Sequence, residues 1–341
     1  MDFLNTSSNS YPIYAEIYYK LVNPLIDLCG LACNIWIILV LIFGKVKISN
    51  TTKLYYLIIG VSDLVNVANN FIWNDICIGF WLLSNGKFRY CFDSLTDLTC
   101  MIMNLSFYLS EIVSDYSLVS LTIERLIAVC APFMAKSILT KKFRFYLLFF
   151  LVGPFCILYS ILIAFSSQRI PIDAIHYGMN DMACIINYNN MAGLIFNISM
   201  PIIVLTIHSI FDLFASFILF YKVYLSSKNS DLISKSKADS KDVTATLVLI
   251  MLCTITLVIF GTTLAIYIAA VIFEYFLSVP EDVSYHVSIL SNIFLSALTI
   301  PHSTNFFVYL VFIPSFRYYA LCKLLNFTRH PETKPSTSNQ S

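Results

Sequence analysis

Apolar runs alternate with short polar connections along almost the whole chain. The runs fall near residues 20–43, 54–81, 98–130, 143–165, 201–225, 243–273 and 285–311. A helix needs roughly 20 mostly apolar residues to cross a bilayer, so each run is long enough to span one. The pattern predicts an all-α membrane protein, a seven-transmembrane helix bundle with a short amphipathic eighth helix. Residues 1–19 are expected to form an extracellular N-terminus and 20–311 the membrane domain. Residues 312–328, aromatic and basic, read as the helix lying on the membrane surface, and 329–341 as a disordered cytoplasmic tail. The opening MDFLNTSSNSYP has neither the basic region nor the apolar core of a cleavable signal peptide. The first membrane helix is therefore expected to act as an uncleaved signal.

Composition supports a bilayer setting. Of 341 residues, 58% are hydrophobic and only 12% charged, against about a quarter charged in soluble domains. No basic patch is dense enough for nucleic acid, which leaves membrane lipids as the surrounding partner. The net charge of +1 says little, but the placement of charge says more. If the N-terminus is outside, only Lys20, Lys87, Arg89 and Arg169 lie on the outer side. The inner side receives all the other basic residues, among them Lys45, Lys47, Lys53, Arg125, Arg144 and Arg317. The positive-inside rule then gives N-out and C-in, at the plasma membrane, with an odd number of spans.

Polar residues inside the apolar runs mark candidate chemistry, because they are costly in lipid. Asp63 sits in the middle of the second run, where Ser110, Ser114 and Asn305 could face it. A carboxylate among hydroxyls and amides can hold a proton or a small cation; the same residues also serve as structural glue between helices. Glu111 and Asp115 are four residues apart and share a helical face, a spacing repeated by His208 and Asp212. Glu111 could meet a basic ligand group or belong to an internal hydrogen-bonded network. Glu124 and Arg125 close the third run, either as a pair that holds one helical packing shut or as an interfacial anchor.

Asn5 begins an Asn-Thr-Ser glycosylation acceptor. Cys322, beside Lys323, is a candidate for palmitoylation or a plain interfacial cysteine. Most of the ten cysteines lie in apolar runs and none forms a CxxC pair, so no metal site is expected. No HExxH or GxSxG signature is evident, and the chain reads as a non-enzyme.

Several motifs then line up in order. Cys100 precedes Arg125 by 25 residues, and ERLIAVCAP at 124–132 looks like the DRYxAxxxP motif. Asn34 and Asp63 match the polar residues of a first and second helix. Asn305 to Tyr309 match NPxxY, and Phe316-Arg317 the start of an eighth helix. Over about residues 20–326 the chain resembles the rhodopsin-like G-protein-coupled receptors. HSTNFFVY together with ERL is similar to divergent invertebrate, FMRFamide-type neuropeptide receptors.

The resemblance implies a Cys100–Cys184 disulfide, with Cys91 as the competing partner. It implies coupling through Glu124, Arg125, Asn305 and Tyr309, and a sodium ion as allosteric cofactor near Asn34, Asp63, Ser110 and Ser114. It implies a ligand pocket drawing on Phe107, Glu111, His208 and Phe260. Partners would be an extracellular peptide or small molecule, a heterotrimeric G protein, and arrestin. Phe107 stands where amine receptors carry an aspartate, which disfavours an amine ligand. Phe306 replaces the seventh-helix proline, and the fifth-helix proline and CWxP motif have no match. A chemosensory receptor for a small molecule is the alternative. A transporter or channel is a further one, although the internal repeats it predicts are not evident.

Overall fold

The computed structural model describes residues 12–84, 90–171, 182–187, 190–199, 208–229, 237–276 and 281–322. The first helix, α1 (Ile13–Phe43), starts behind Pro12 and passes through a π turn at Tyr18–Val22. Pro24 follows that turn directly, at a position where its missing N–H costs little. The helix stops where Gly44 turns extended. Ser49 then caps α2 (Asn50–Asn70), its hydroxyl accepting from the Thr52 backbone N–H at 3.1 Å. A π-helical stretch, Phe71–Gly79, and one further turn, Phe80–Leu83, continue α2.

Thr96 and Thr99 make a reciprocal capping box at the head of α3 (Asp97–Cys130). Its 34 residues extend about 50 Å at the α-helical rise. A short helix, Pro132–Ile138, leads to α4 (Lys141–Ser166), which Thr140 caps at the Phe143 N–H. A hairpin follows, β1 (Ser167–Pro171) antiparallel to β2 (Met182–Ile186), with Arg169 opposite Cys184. The remaining helices are α5 (Met191–Ser199), α6 (His208–Asn229), α7 (Lys237–Phe276), α8 (Glu281–Ser296) and α9 (Thr299–Phe312). After α9 come the turn Pro314–Arg317 and a π segment, Tyr318–Cys322.

α3 packs between α2 and α4, and α9 packs against α1 and α7. Ile37, Tyr56, Leu121, Leu249, Tyr309 and Phe316 form the largest apolar core where these helices converge. Outside that core α4 exposes Phe145, Phe149, Phe150, Ile157, Ile161 and Phe165. Such a continuous apolar face suits lipid rather than water.

Four helical stretches among the described residues are long and apolar enough to cross a membrane. They are Ile13–Phe43, Lys142–Ser166, Thr246–Ile266 and Asn292–Phe312. The chain is thus a multi-pass membrane protein, and the expected seven-transmembrane bundle is corrected. Two of the expected spans fail on polarity. α2 buries Asp63, Asn66, Asn69 and Asn70, and α3 buries Glu111, Asp115, Glu124 and Arg125. A third, α6, is described only from His208, and among the described residues its apolar part is Leu213–Lys222.

With that count goes the rhodopsin-like receptor assignment. The neuropeptide and chemosensory readings and the relay to a G protein, all of which need seven spans, go with it. The β1–β2 hairpin corrects the all-α expectation in a smaller way: the segments flanking the loop after α4 form an antiparallel ladder.

Candidate buried proton site

The two ends of the bundle differ in chemistry. At one end two disulfides form, Cys77–Cys91 and Cys100–Cys184. The expected Cys100–Cys184 bridge is present, and the competitor Cys91 is taken by Cys77, which sequence reasoning did not single out. Arg169 on β1 donates to Asp97 at 2.8 Å and ties the hairpin to the head of α3.

At the other end Arg125 donates to the Thr52 hydroxyl at 2.6 Å, and Arg144 to Thr51 at 2.7 Å. Glu124 stands 3.8 Å from Arg125 and 3.3 Å from Arg144. The Glu124–Arg125 pair is therefore one part of a larger clamp joining α2, α3 and α4. Thr51, Thr52 and Arg144 had been missed, because nothing in local spacing connects them to Arg125. The Lys47 backbone N–H donates to Ser315 at 3.0 Å, bringing the post-α9 segment to the same end.

Between the ends lies the densest polar arrangement on the predicted residues. Asp63, fully buried on α2, accepts from the Ser114 hydroxyl of α3 at 2.6 Å. It also accepts from the Asn305 amide of α9. His302, one turn before Asn305, brings its Nδ1 to 2.7 Å from the same carboxylate oxygen that Ser114 reaches. Asn34 on α1 donates to the His302 backbone carbonyl at 2.9 Å and fixes that turn. Four helices thus meet around one carboxylate.

His302 is the residue that sequence reasoning passed over. It was visible in HSTNF, but its motif neighbour Asn305 drew the assignment. Its Nε2 is buried and, among the described residues, has no hydrogen-bond partner. Beside it lies a cavity of about 20 Å³, lined by Ser114, Asp115, Leu252, Thr256, His302 and Asn305. That is room for about one water molecule.

The other predicted residues go elsewhere. Ser110 donates to the Phe107 carbonyl at 2.7 Å and not to Asp63. Phe107 packs edge-on against Trp73 and Tyr108. Phe260 is fully buried beside Leu298, in a separate apolar group. Tyr309 packs on Tyr56 with ring centroids 4.6 Å apart and on Phe316 at 5.8 Å. Glu111 is buried on α3. Asn5 and the side chains of His208 and Cys322 lie outside the described residues.

A carboxylate offers about four acceptor positions, and three donors already reach Asp63. The imidazole Nδ1 takes one of those positions, and the donor set fits a proton better than a metal. Among the described residues no group of three or more His, Cys, Asp or Glu side chains could hold a metal ion. No protein-family model matches the chain, and no curated protein matches it either.

Proposed function

We propose that the protein is a non-enzymatic, proton-responsive membrane switch. In this reading the protonation state of the Asp63–His302 pair selects between two packings of α2, α3 and α9. One observation carries it: His302 Nδ1 lies 2.7 Å from Asp63 while, among the described residues, Nε2 has no partner and borders a cavity that Asp115 and Thr256 also line. An ionised carboxylate only accepts, so Nδ1 carries the hydrogen of that bond. Nε2 is then either a bare lone pair or a second N–H. As a lone pair it accepts from a water in the cavity. As an N–H it needs an acceptor, and the Asp115 carboxyl of α3 stands in the same wall. A proton arriving at Nε2 thus changes which contact between α9 and α3 is favourable. A ligand shifts such an equilibrium by its differential affinity for the two states, and here the ligand is the proton. The cavity's size favours binding over a through-path, which speaks for a switch rather than a channel or transporter.

We place the disulfide end on the extracellular side of the plasma membrane, because disulfides persist in oxidising compartments. The end that gathers Lys45, Lys47, Arg125, Arg144 and Arg317 then faces the cytoplasm, in keeping with the positive-inside rule.

Hydrogen exchange of the protein in lipid nanodiscs, followed over about pH 5–10 around the imidazole range, tests the reading. Protection of α3 and α9 should change with pH in the native protein and not in His302→Gln. An equal pH response in both would contradict it.

A further inference from the structure

A second buried pair of carboxyls lies toward the disulfide end, away from Asp63 and outside the reading just given. Asp27 of α1 is fully buried, and Asp75 of the π-helical stretch is 3% exposed. Asn23 joins them, its amide nitrogen donating to Asp27 Oδ2 at 3.2 Å and to Asp75 Oδ1 at 2.7 Å. Asn70 donates to the same Asp27 oxygen at 2.6 Å. Among the described residues the remaining oxygens, Asp27 Oδ1 and Asp75 Oδ2, are buried and receive no hydrogen bond. One amide nitrogen thus reaches both carboxyls and holds them side by side. Among the described residues neither is in a salt bridge.

An inventory of the surrounding hydrogens narrows what satisfies those two oxygens. The Ser296 hydroxyl at 2.7 Å and the Tyr18 phenol at 3.0 Å both donate to Asn23 Oδ1. That fixes the amide, so both Asn23 hydrogens point at the carboxyls and both are used. Asn74 donates to Asn70 Oδ1 and, at 3.3 Å, to Ser296. The Thr299 hydroxyl gives its hydrogen to the Ser296 carbonyl at 3.0 Å. Among the described residues Tyr18 is the titratable group that the packed elements add to the pair: α2 supplies amides, and α8 and α9 supply hydroxyls. Two buried carboxylates this close do not both ionise without a compensating charge. A metal ion would need several free oxygens, yet the amide oxygens of Asn23 and Asn70 already accept hydrogen bonds.

We infer that Asp27 and Asp75 form a second proton-binding site, in which one proton bridges the two buried carboxyls and locks α1 to the π-helical stretch. Infrared spectroscopy tests this on the full-length protein in nanodiscs with carbon-13-labelled aspartate. The native protein and Asp63→Asn should both show the carbonyl band of a protonated aspartic acid, shifting in heavy water. Asp27→Asn and Asp75→Asn should each lose it. A band that survives in both of those variants would overturn the proposal. So would a native protein without the band, especially one stabilised by sodium over choline, where a cation would fill the site instead. If either variant does not fold, the band in labelled native protein decides, with Asp63→Asn excluding the other aspartate. Loss of the band in Asp63→Asn alone would refute this site and leave the Asp63–His302 reading standing.

Discussion

Two buried acid sites share α1, α2 and the start of α9, and they solve the same problem differently. At Asp63 of α2 a carboxyl meets a hydroxyl from α3 and an imidazole and an amide from α9. At Asp27 and Asp75 the described donors are the amides of Asn23 and Asn70. In the first case the compensating group is a side chain that can itself take or release a proton. In the second no described side chain is a cation that offsets the pair, and a shared proton leaves it with one charge instead of two. Polar chemistry inside a membrane protein is therefore set less by where an acid falls in the sequence than by which donors its neighbours bring.

The sharpest way to break this contrast is to remove each acid in turn. Asp63→Ala strands His302, Ser114 and Asn305 together, and breaking a buried charged pair costs about 3–5 kcal/mol. Thermal unfolding in nanodiscs should show that loss. Asp27→Ala leaves Asp75 with its Asn23 hydrogen bond and no second acid beside it, and should cost less, about 1–3 kcal/mol. If the two variants lose equal stability, the sites are not different in kind.

Gly30 separates the sites along α1. A Cβ there would collide with the Ser303 hydroxymethyl next to His302. Gly30→Ala should wedge α1 from α9 at a cost of about 1–3 kcal/mol, as overpacking does, and should disturb the His302 turn that Asn34 holds. Asn74→Ala removes only an outer donor to Asn70 and Ser296. It should cost about 1 kcal/mol, with the aspartic acid band at Asp27–Asp75 retained.

Part of this was legible in the chain. Asp63, Ser114 and Asn305 stood out as polar residues in apolar runs, and they do meet. His302 did not stand out, since nothing in its spacing says that its ring turns toward α2 rather than α3. Asp75 was hidden for a different reason. The wide turns of Phe71–Gly79 shift the helical phase, so a 3.6-residue reading of that run does not bring Asp75 toward α1. Asn23 and Asp27 were four apart and readable as a pair, but their partner lies 48 residues beyond Asp27, across a helix boundary.

The span count failed in an instructive way as well. Run lengths treated α2 and α3 like their neighbours, while their buried acids and amides make them the polar interior that the apolar helices enclose. The motif resemblance inherited that error, because its matched residues were polar ones within the same runs.

The most direct test of the central claim follows the imidazole itself. Nitrogen NMR of the protein in nanodiscs, with His302 assigned by comparison with His302→Gln, reports the protonation of each ring nitrogen across about pH 5–10. The account predicts that Nδ1 stays protonated throughout, that Nε2 titrates, and that Asp63→Asn changes that titration. An Nε2 that never titrates, or one whose titration is the same with and without the Asp63 carboxylate, would contradict it.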